Sequence, residues 1–132
     1  MSDASARARA NKRKGASFEI DKEKYWAEKG FKVQRLVRRG KEDEGDLLLQ
    51  VTDLLYVVFE QKNEKSISLS TYTDEALAEA RRWEARNVHQ IPAEALVLGM
   101  WDVKRRNRGL GDSYTGSSCD ELAALFLHLQ GR

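Results

Sequence analysis

The sequence predicts an α/β fold: a mixed central sheet flanked by helices, with a further helix at the C-terminus. Three observations carry this. The run Leu54–Gln61 (LLYVVFEQ) is the most apolar, β-branched and aromatic stretch of the chain, as a fully buried central strand requires. Shorter alternating or apolar runs lie on either side of it in sequence. Between it and the next apolar run lies a segment with helical spacing, giving a coarse order α-β-β-β-α-β.

Taken in order, residues 1–12 are small, polar and basic without periodicity, and a flexible tail is expected there. Residues 13–132 are read as one domain. Gly15 to Lys29 fits a helix with Phe18, Tyr25 and Trp26 as its apolar contacts and Gly30 as its stop. Phe31 to Val37 alternates like a half-buried strand, and Arg38 to Gly45 is a charged loop. Asp46 opens a second strand (DLLLQV), and a turn near Thr52-Asp53 makes it one arm of a hairpin with Leu54–Gln61. Ser66 to Thr73 reads as a polar connector. Asp74 to Asn87 reads as an amphipathic helix, with Ala76, Leu77, Ala80 and Trp83 on its apolar face and Glu79, Arg82 and Arg86 elsewhere. Pro92 separates this helix from a fourth strand, Ala95 to Val103. The basic loop KRRNRGLG follows, then a short edge strand at Ser113–Thr115. Ser117 or Ser118 caps a last helix in which Leu122, Leu125, Phe126 and Leu129 fall at helical spacing.

Composition narrows the function. With 132 residues, 41% hydrophobic and 33% charged, the chain can bury one modest core. No apolar run approaches the roughly 20 residues of a membrane span, and the basic N-terminus lacks the apolar stretch of a secretory signal. A cytoplasmic protein is therefore expected, in the host cytoplasm if the gene is a phage's. The single cysteine, Cys119, makes neither an internal disulfide nor a cysteine-rich zinc site, and His89 and His128 lack ligand spacing. The net charge is only +2, but the cations are clustered: Arg7, Arg9, Lys12, Arg13 and Lys14; Arg35, Arg38, Arg39 and Lys41; Lys104, Arg105, Arg106 and Arg108. Such clusters suit contacts to phosphate, and Arg13, Lys14, Arg35, Arg38, Arg39, Lys104, Arg105 and Arg106 are the candidate DNA-binding residues.

The candidate site lies where the central strand ends. Side chains alternate along a strand, so Glu60 and Lys62 point one way and Gln61 the other. A charged pair leaving a buried strand is costly unless it is partnered or binds something. Asp46 opens the neighbouring arm of the hairpin and so meets Glu60 at the same sheet end. Two carboxylates beside a lysine suit a hard, oxygen-liganded cation: Mg²⁺, with Mn²⁺ as the substitute. Asp46, Glu60 and the carbonyl of Gln61 are its candidate ligands. Such a cation polarises a phosphoryl oxygen and lowers the pKa of a bound water. Lys62 is placed to orient or deprotonate that water, or to offset charge on the phosphate.

Asp46, Glu60 and Lys62 together resemble the D…(E)xK signature of the PD-(D/E)xK nucleases. Lys14-Gly15-Ala16-Ser17-Phe18-Glu19 is similar to the KGxxxE opening of archaeal-type Holliday junction resolvases and their phage relatives. Gly30-Phe31 followed by Arg35, the ALVLGMW strand and the DELAALFLHL helix resemble that family's later elements, so the likeness runs from Lys12 onward. It implies a restriction-endonuclease-like αβββαβ core, metal-dependent hydrolysis of DNA, and a homodimer that cuts opposing strands of a four-way junction. It also implies that Glu19 joins Asp46, Glu60 and Lys62 as a catalytic and metal-binding residue. The chain departs from the pattern in having Gly45, not proline, before Asp46. It also has Arg38-Arg39-Gly40 where those resolvases often carry a serine. Two other functions fit the residues: a nuclease of the same type acting on other branched, nicked or linear DNA in repair or packaging, and a DNA-binding protein on the same fold without catalysis. The intact acidic set argues against the last, because carboxylates repel phosphate.

Overall fold

A computed structural model describes residues 3–37 and 44–131; in the first helix, side chains are described for Ala6, Arg9 and from Ala16 onward. The described residues form three helices and a five-stranded mixed sheet: α1 (Asp3–Glu28), β1 (Lys32–Arg35), β2 (Leu47–Thr52), β3 (Leu55–Lys62), α2 (Leu69–Arg86), β4 (Leu96–Val103), β5 (Tyr114–Gly116) and α3 (Cys119–Leu129). The strands lie in the order β1-β2-β3-β4-β5. Pairing is antiparallel from β1 to β3, parallel between β3 and β4 where α2 makes the crossover, and antiparallel again at β5. The mixed α/β class, the β2–β3 hairpin, the edge strand and the terminal helix agree with the pattern in the sequence.

Each face of the sheet carries its own core, as strand periodicity demands. On one face Leu47, Leu49, Leu55, Val57, Phe59 and Leu98 pack with Trp26 of α1 and Leu125 of α3. On the other, Leu48, Tyr56, Val58 and Val97 pack with Ala80 and Trp83 of α2. Side chains as buried as Leu47 (0% exposed) and Val58 (1%) each stabilise the fold by about 1.5–3 kcal/mol.

Two boundaries differ from expectation. Helix α1 starts at Asp3, inside the segment 1–12 read as a tail. That segment has no apolar stripe, but its alanines, arginines and lysines have high intrinsic helix propensity. Helix α2 starts at Leu69 and absorbs most of the expected connector, because Tyr72 is buried (3% exposed) and anchors the first turn. At α3 the cap is Ser118, whose hydroxyl accepts the Glu121 N–H at 3.3 Å. None of the described helices is long and apolar enough to cross a membrane.

Candidate active site

Strand β3 is buried from Leu55 to Phe59 and then turns polar, so its last residues carry charge out of the core at one end of the sheet. Glu60 and Lys62 point to the α2 face. There Lys62 Nζ lies 3.4 Å from Glu60 Oε1 and 2.7 Å from Glu75 Oε2, with the Glu60 and Lys62 side chains only 12% and 14% exposed. Burial by itself lowers the Lys62 pKa. The Glu75 hydrogen bond and the charges of Glu60, Glu75 and Glu64 outweigh it, and the net shift is upward. Lys62 is therefore firmly cationic at neutral pH. Its ammonium also sits 5.1 Å from the centroid of the Tyr72 ring. The Tyr72 hydroxyl lies between the Glu64 carboxylate and the Ser66 carbonyl. Burial, then the Glu64 hydrogen bond and charge, push it up to about 12.

The hairpin brings Asp46 to the same place. Leu47 pairs with Phe59, which sets Asp46 beside Glu60. The Asp46 N–H donates to the Phe59 carbonyl at 2.9 Å, and Asp46 Oδ2 accepts the Gln61 N–H at 2.8 Å. Asp46 is only 7% exposed. The chain enters this strand through Gly45 at φ +97°, where a Cβ would stand 2.5 Å from Val58 Cγ1 and 3.3 Å from the Phe59 carbonyl oxygen. Glycine is thus required by both conformation and space. It also explains why a residue other than proline precedes Asp46.

A further carboxylate completes the group. Glu79 of α2 hydrogen-bonds to Glu60, and its pKa is raised far above the carboxylate range by burial first, then by Glu60, Asp46 and Glu75. Its Oε2 is buried without a hydrogen-bond partner and lies 3.8 Å from the Cβ position of Gly45. The helical spacing that put Glu79 away from the apolar face of α2 overlooked it. With Tyr72 and Glu75 it forms a polar stripe beside Ala76, Ala80 and Trp83, and that stripe lies over the end of β3. The i, i+4 glutamate pair bordering the apolar face was the available signal.

Asp46, Glu60 and Lys62 thus come together as the hairpin argument expects, and the Gln61 backbone lies at the same point. Glu19 sits beside Arg35. It is buried (3% exposed) on the α1 side, where Arg35 Nη2 is 3.3 Å from its Oε2. Glu60 and Lys62, by contrast, face α2. Glu44 pairs with Arg86 at 2.7 Å. Among the described residues, no three acidic, imidazole or thiol groups already close on one point as they do around a bound ion. Instead Glu60 is engaged by Glu79 and Lys62, and Asp46 by Gln61. The acceptors here are all oxygen, the ligand type a hard divalent cation takes, and one of them is buried without a partner.

Of the candidate DNA-binding residues, Arg35 closes β1 at this end of the sheet. Lys104, Arg105 and Arg106 follow β4, also at this end, and the Lys104 N–H donates to the Lys62 carbonyl at 2.9 Å. Lys104 and Arg106 are exposed, whereas Arg105 stacks over the Tyr114 ring at 4.6 Å. Arg38 and Arg39, and the side chains of Arg13 and Lys14, lie outside the described residues. Protein-family models and curated proteins give no match to this chain.

Proposed function

We propose that this protein is a Mg²⁺-dependent endonuclease of the PD-(D/E)xK type, built on a restriction-endonuclease-like core, that hydrolyses phosphodiester bonds of four-way DNA junctions. The observation that carries the reading is the convergence of Asp46, Glu60 and Lys62 at one sheet end, with Glu79 against them and a basic loop alongside. The αβββαβ order with parallel β3 and β4 supports the core assignment. The choice of junctions rests on the likeness of residues 14–19 to the resolvase opening.

Asp46, Glu60, the Gln61 carbonyl and Glu79 would hold the cation. Bound there, Mg²⁺ supplies a polarised phosphoryl oxygen and an acidified water. Lys62, kept charged by its acidic neighbours, donates hydrogen bonds to the attacking oxygen or the phosphate and offsets the charge that builds up in the transition state. It is a poor proton acceptor in this setting, which favours the electrostatic role over the general-base role. Glu19, which the resemblance adds to the catalytic and metal-binding set, pairs with Arg35 and so also steadies a candidate phosphate contact. Lys104 and Arg106 contribute backbone affinity without reading sequence.

Paired cuts need two centres, so the reading includes a homodimer. Leu122, Phe126 and Leu129 are exposed along one side of α3, at 48%, 54% and 69%, and offer an apolar surface for it. Trp101 is only partly exposed. Its indole N–H donates to Thr73 Oγ1 at 2.9 Å and its ring covers Gly116.

The test is to incubate the protein with labelled four-way junction, flap and linear duplex, with and without Mg²⁺. Symmetric paired nicks in the junction alone are expected. Cleavage of the other substrates would transfer the reading to a repair or packaging nuclease, and binding without cleavage would make the protein a binding module. Glu60→Ala is expected to abolish cutting and keep DNA binding. Undiminished cutting by that variant would remove Glu60 from the site.

A further inference from the structure

Strand alternation turns the side chain of Gln61 away from Glu60 and Lys62, toward the α1 face. There it meets a charged pair that hydrolysis does not use. Asp102 of β4, its partner in register, is 0% exposed and Lys22 of α1 is 2% exposed. Lys22 Nζ lies 3.3 Å from Asp102 Oδ2 and donates to the Leu110 carbonyl at 3.0 Å and the Ser113 hydroxyl at 3.2 Å. All three ammonium protons thus have acceptors. Asp102 Oδ2 also accepts from Gln61 Nε2 at 2.9 Å, and its Oδ1 from the Thr115 hydroxyl at 3.2 Å. The network ties α1, β3, β4 and β5 together behind the strand end.

A buried ion pair is weak evidence for stability, because an apolar replacement of similar volume often folds as well. The position of this pair gives it another use. The residue whose side chain it grips is the one whose backbone N–H donates to Asp46 Oδ2 at 2.8 Å. In a strand the N–H and C=O of one residue point toward the same neighbouring strand, so the Gln61 carbonyl also lies on the Asp46 side.

We propose that Lys22 and Asp102 are positioning residues for the candidate active site. By holding the Gln61 side chain, they fix the rotation of the peptide groups on either side of it. That fixes the aim of the Gln61 N–H at Asp46 and of its carbonyl at the cation. The cation part rests on the nuclease reading; the clamp on Asp46 does not.

The test uses the full chain in ¹⁵N-labelled form, wild type against Lys22→Met/Asp102→Leu, which replaces both charges by apolar groups. Four quantities are read: the melting temperature, the Gln61 amide proton shift without metal, Mn²⁺ affinity by electron paramagnetic resonance of the free ion, and DNA affinity in chelator. In a folded double variant the Gln61 amide moves upfield from its charge-assisted position. Mn²⁺ affinity falls roughly 10–100-fold, as when groups behind a metal ligand are removed. DNA affinity in chelator stays the same. An unmoved amide with unchanged Mn²⁺ affinity overturns the proposal and leaves the pair a packing element. Should the double variant not fold, Gln61→Met keeps both backbone groups and removes only the gripped amide. Wild-type Mn²⁺ affinity in that variant overturns the proposal equally. If wild type itself binds no Mn²⁺, the nuclease reading fails, and the amide shift alone still decides whether the pair positions Asp46.

Discussion

Burial, the hydrogen bond to Glu60 and the charges of Glu60, Asp46 and Glu75 all push the Glu79 carboxyl upward from its ordinary 4.5. The folded, cation-free protein therefore keeps a proton on Glu79 at neutral pH, while the unfolded chain gives it up. A raised folded-state pKa contributes stability in full below the unfolded value, and that contribution drains away as pH rises toward the folded one. Without metal, the melting temperature should fall steadily from about pH 5 to about pH 9. Glu79→Gln keeps a donor for Glu60 and removes the buried proton. That variant should lose most of the slope and melt about 3–5 °C higher than wild type near pH 8. Calorimetry across that range checks it, and a variant with the wild-type slope would mean Glu79 carries no such proton. The contrast with Glu60 shows what a sequence discloses about single residues. A period of two in a strand says which way Glu60 and Lys62 face. Whether a helical residue at the border of an apolar face turns in or out depends on the rotation of α2 over the sheet, which tertiary packing sets. Glu79 stayed hidden for that reason. Glu19 enters the candidate site by resemblance alone, and its carboxylate pairs with Arg35.

Helix α2 holds Glu75 and Glu79 over the end of β3 only because its backbone approaches β4 closely at Gly99. A Cβ on Gly99 would meet the Ala76 carbonyl oxygen at 2.5 Å and Ala80 Cβ at 2.9 Å, backbone and short side chain that cannot swing away. Gly99→Ala must therefore lift the helix from the strand, at a cost of about 1–3 kcal/mol. The same displacement should withdraw Glu79 from Glu60. Urea unfolding should show a lower midpoint with little change in slope, and the variant's pH–stability curve should flatten in the way that of Glu79→Gln does. Wild-type stability would mean that the contact is looser than described. Elements were legible where apolar periodicity marked them: the hairpin, β4 and α3 all follow from it. The starts of α1 and α2 were not, because one rests on intrinsic propensity without an apolar stripe and the other on the burial of a lone tyrosine.

Over the whole molecule, a net charge of +2 gives no strong field, so location matters more than total. The hairpin alone predicts that Asp46 joins Glu60. That the basic residues after β4 lie at the same sheet end follows only once β4 is known to run parallel to β3, a long-range pairing the chain does not spell out locally. With that pairing, Lys104 and Arg106 stand exposed at the end of the sheet that carries the carboxylates. DNA lying across the site would then neutralise phosphates against these two residues, and affinity would fall steeply with salt. Each phosphate contact contributes roughly 0.9 to the slope of log affinity against log salt. Lys104→Gln/Arg106→Gln should therefore lower that slope by about two and weaken binding of junction and duplex alike, because phosphate contacts carry no sequence information. If these residues supply only backbone affinity, as proposed, the rate of cutting at saturating DNA should stay near that of wild type. Binding titrations at several salt concentrations read the slope directly. An unchanged slope would place the DNA on another face, and the sheet end would then lose its claim to be where hydrolysis occurs.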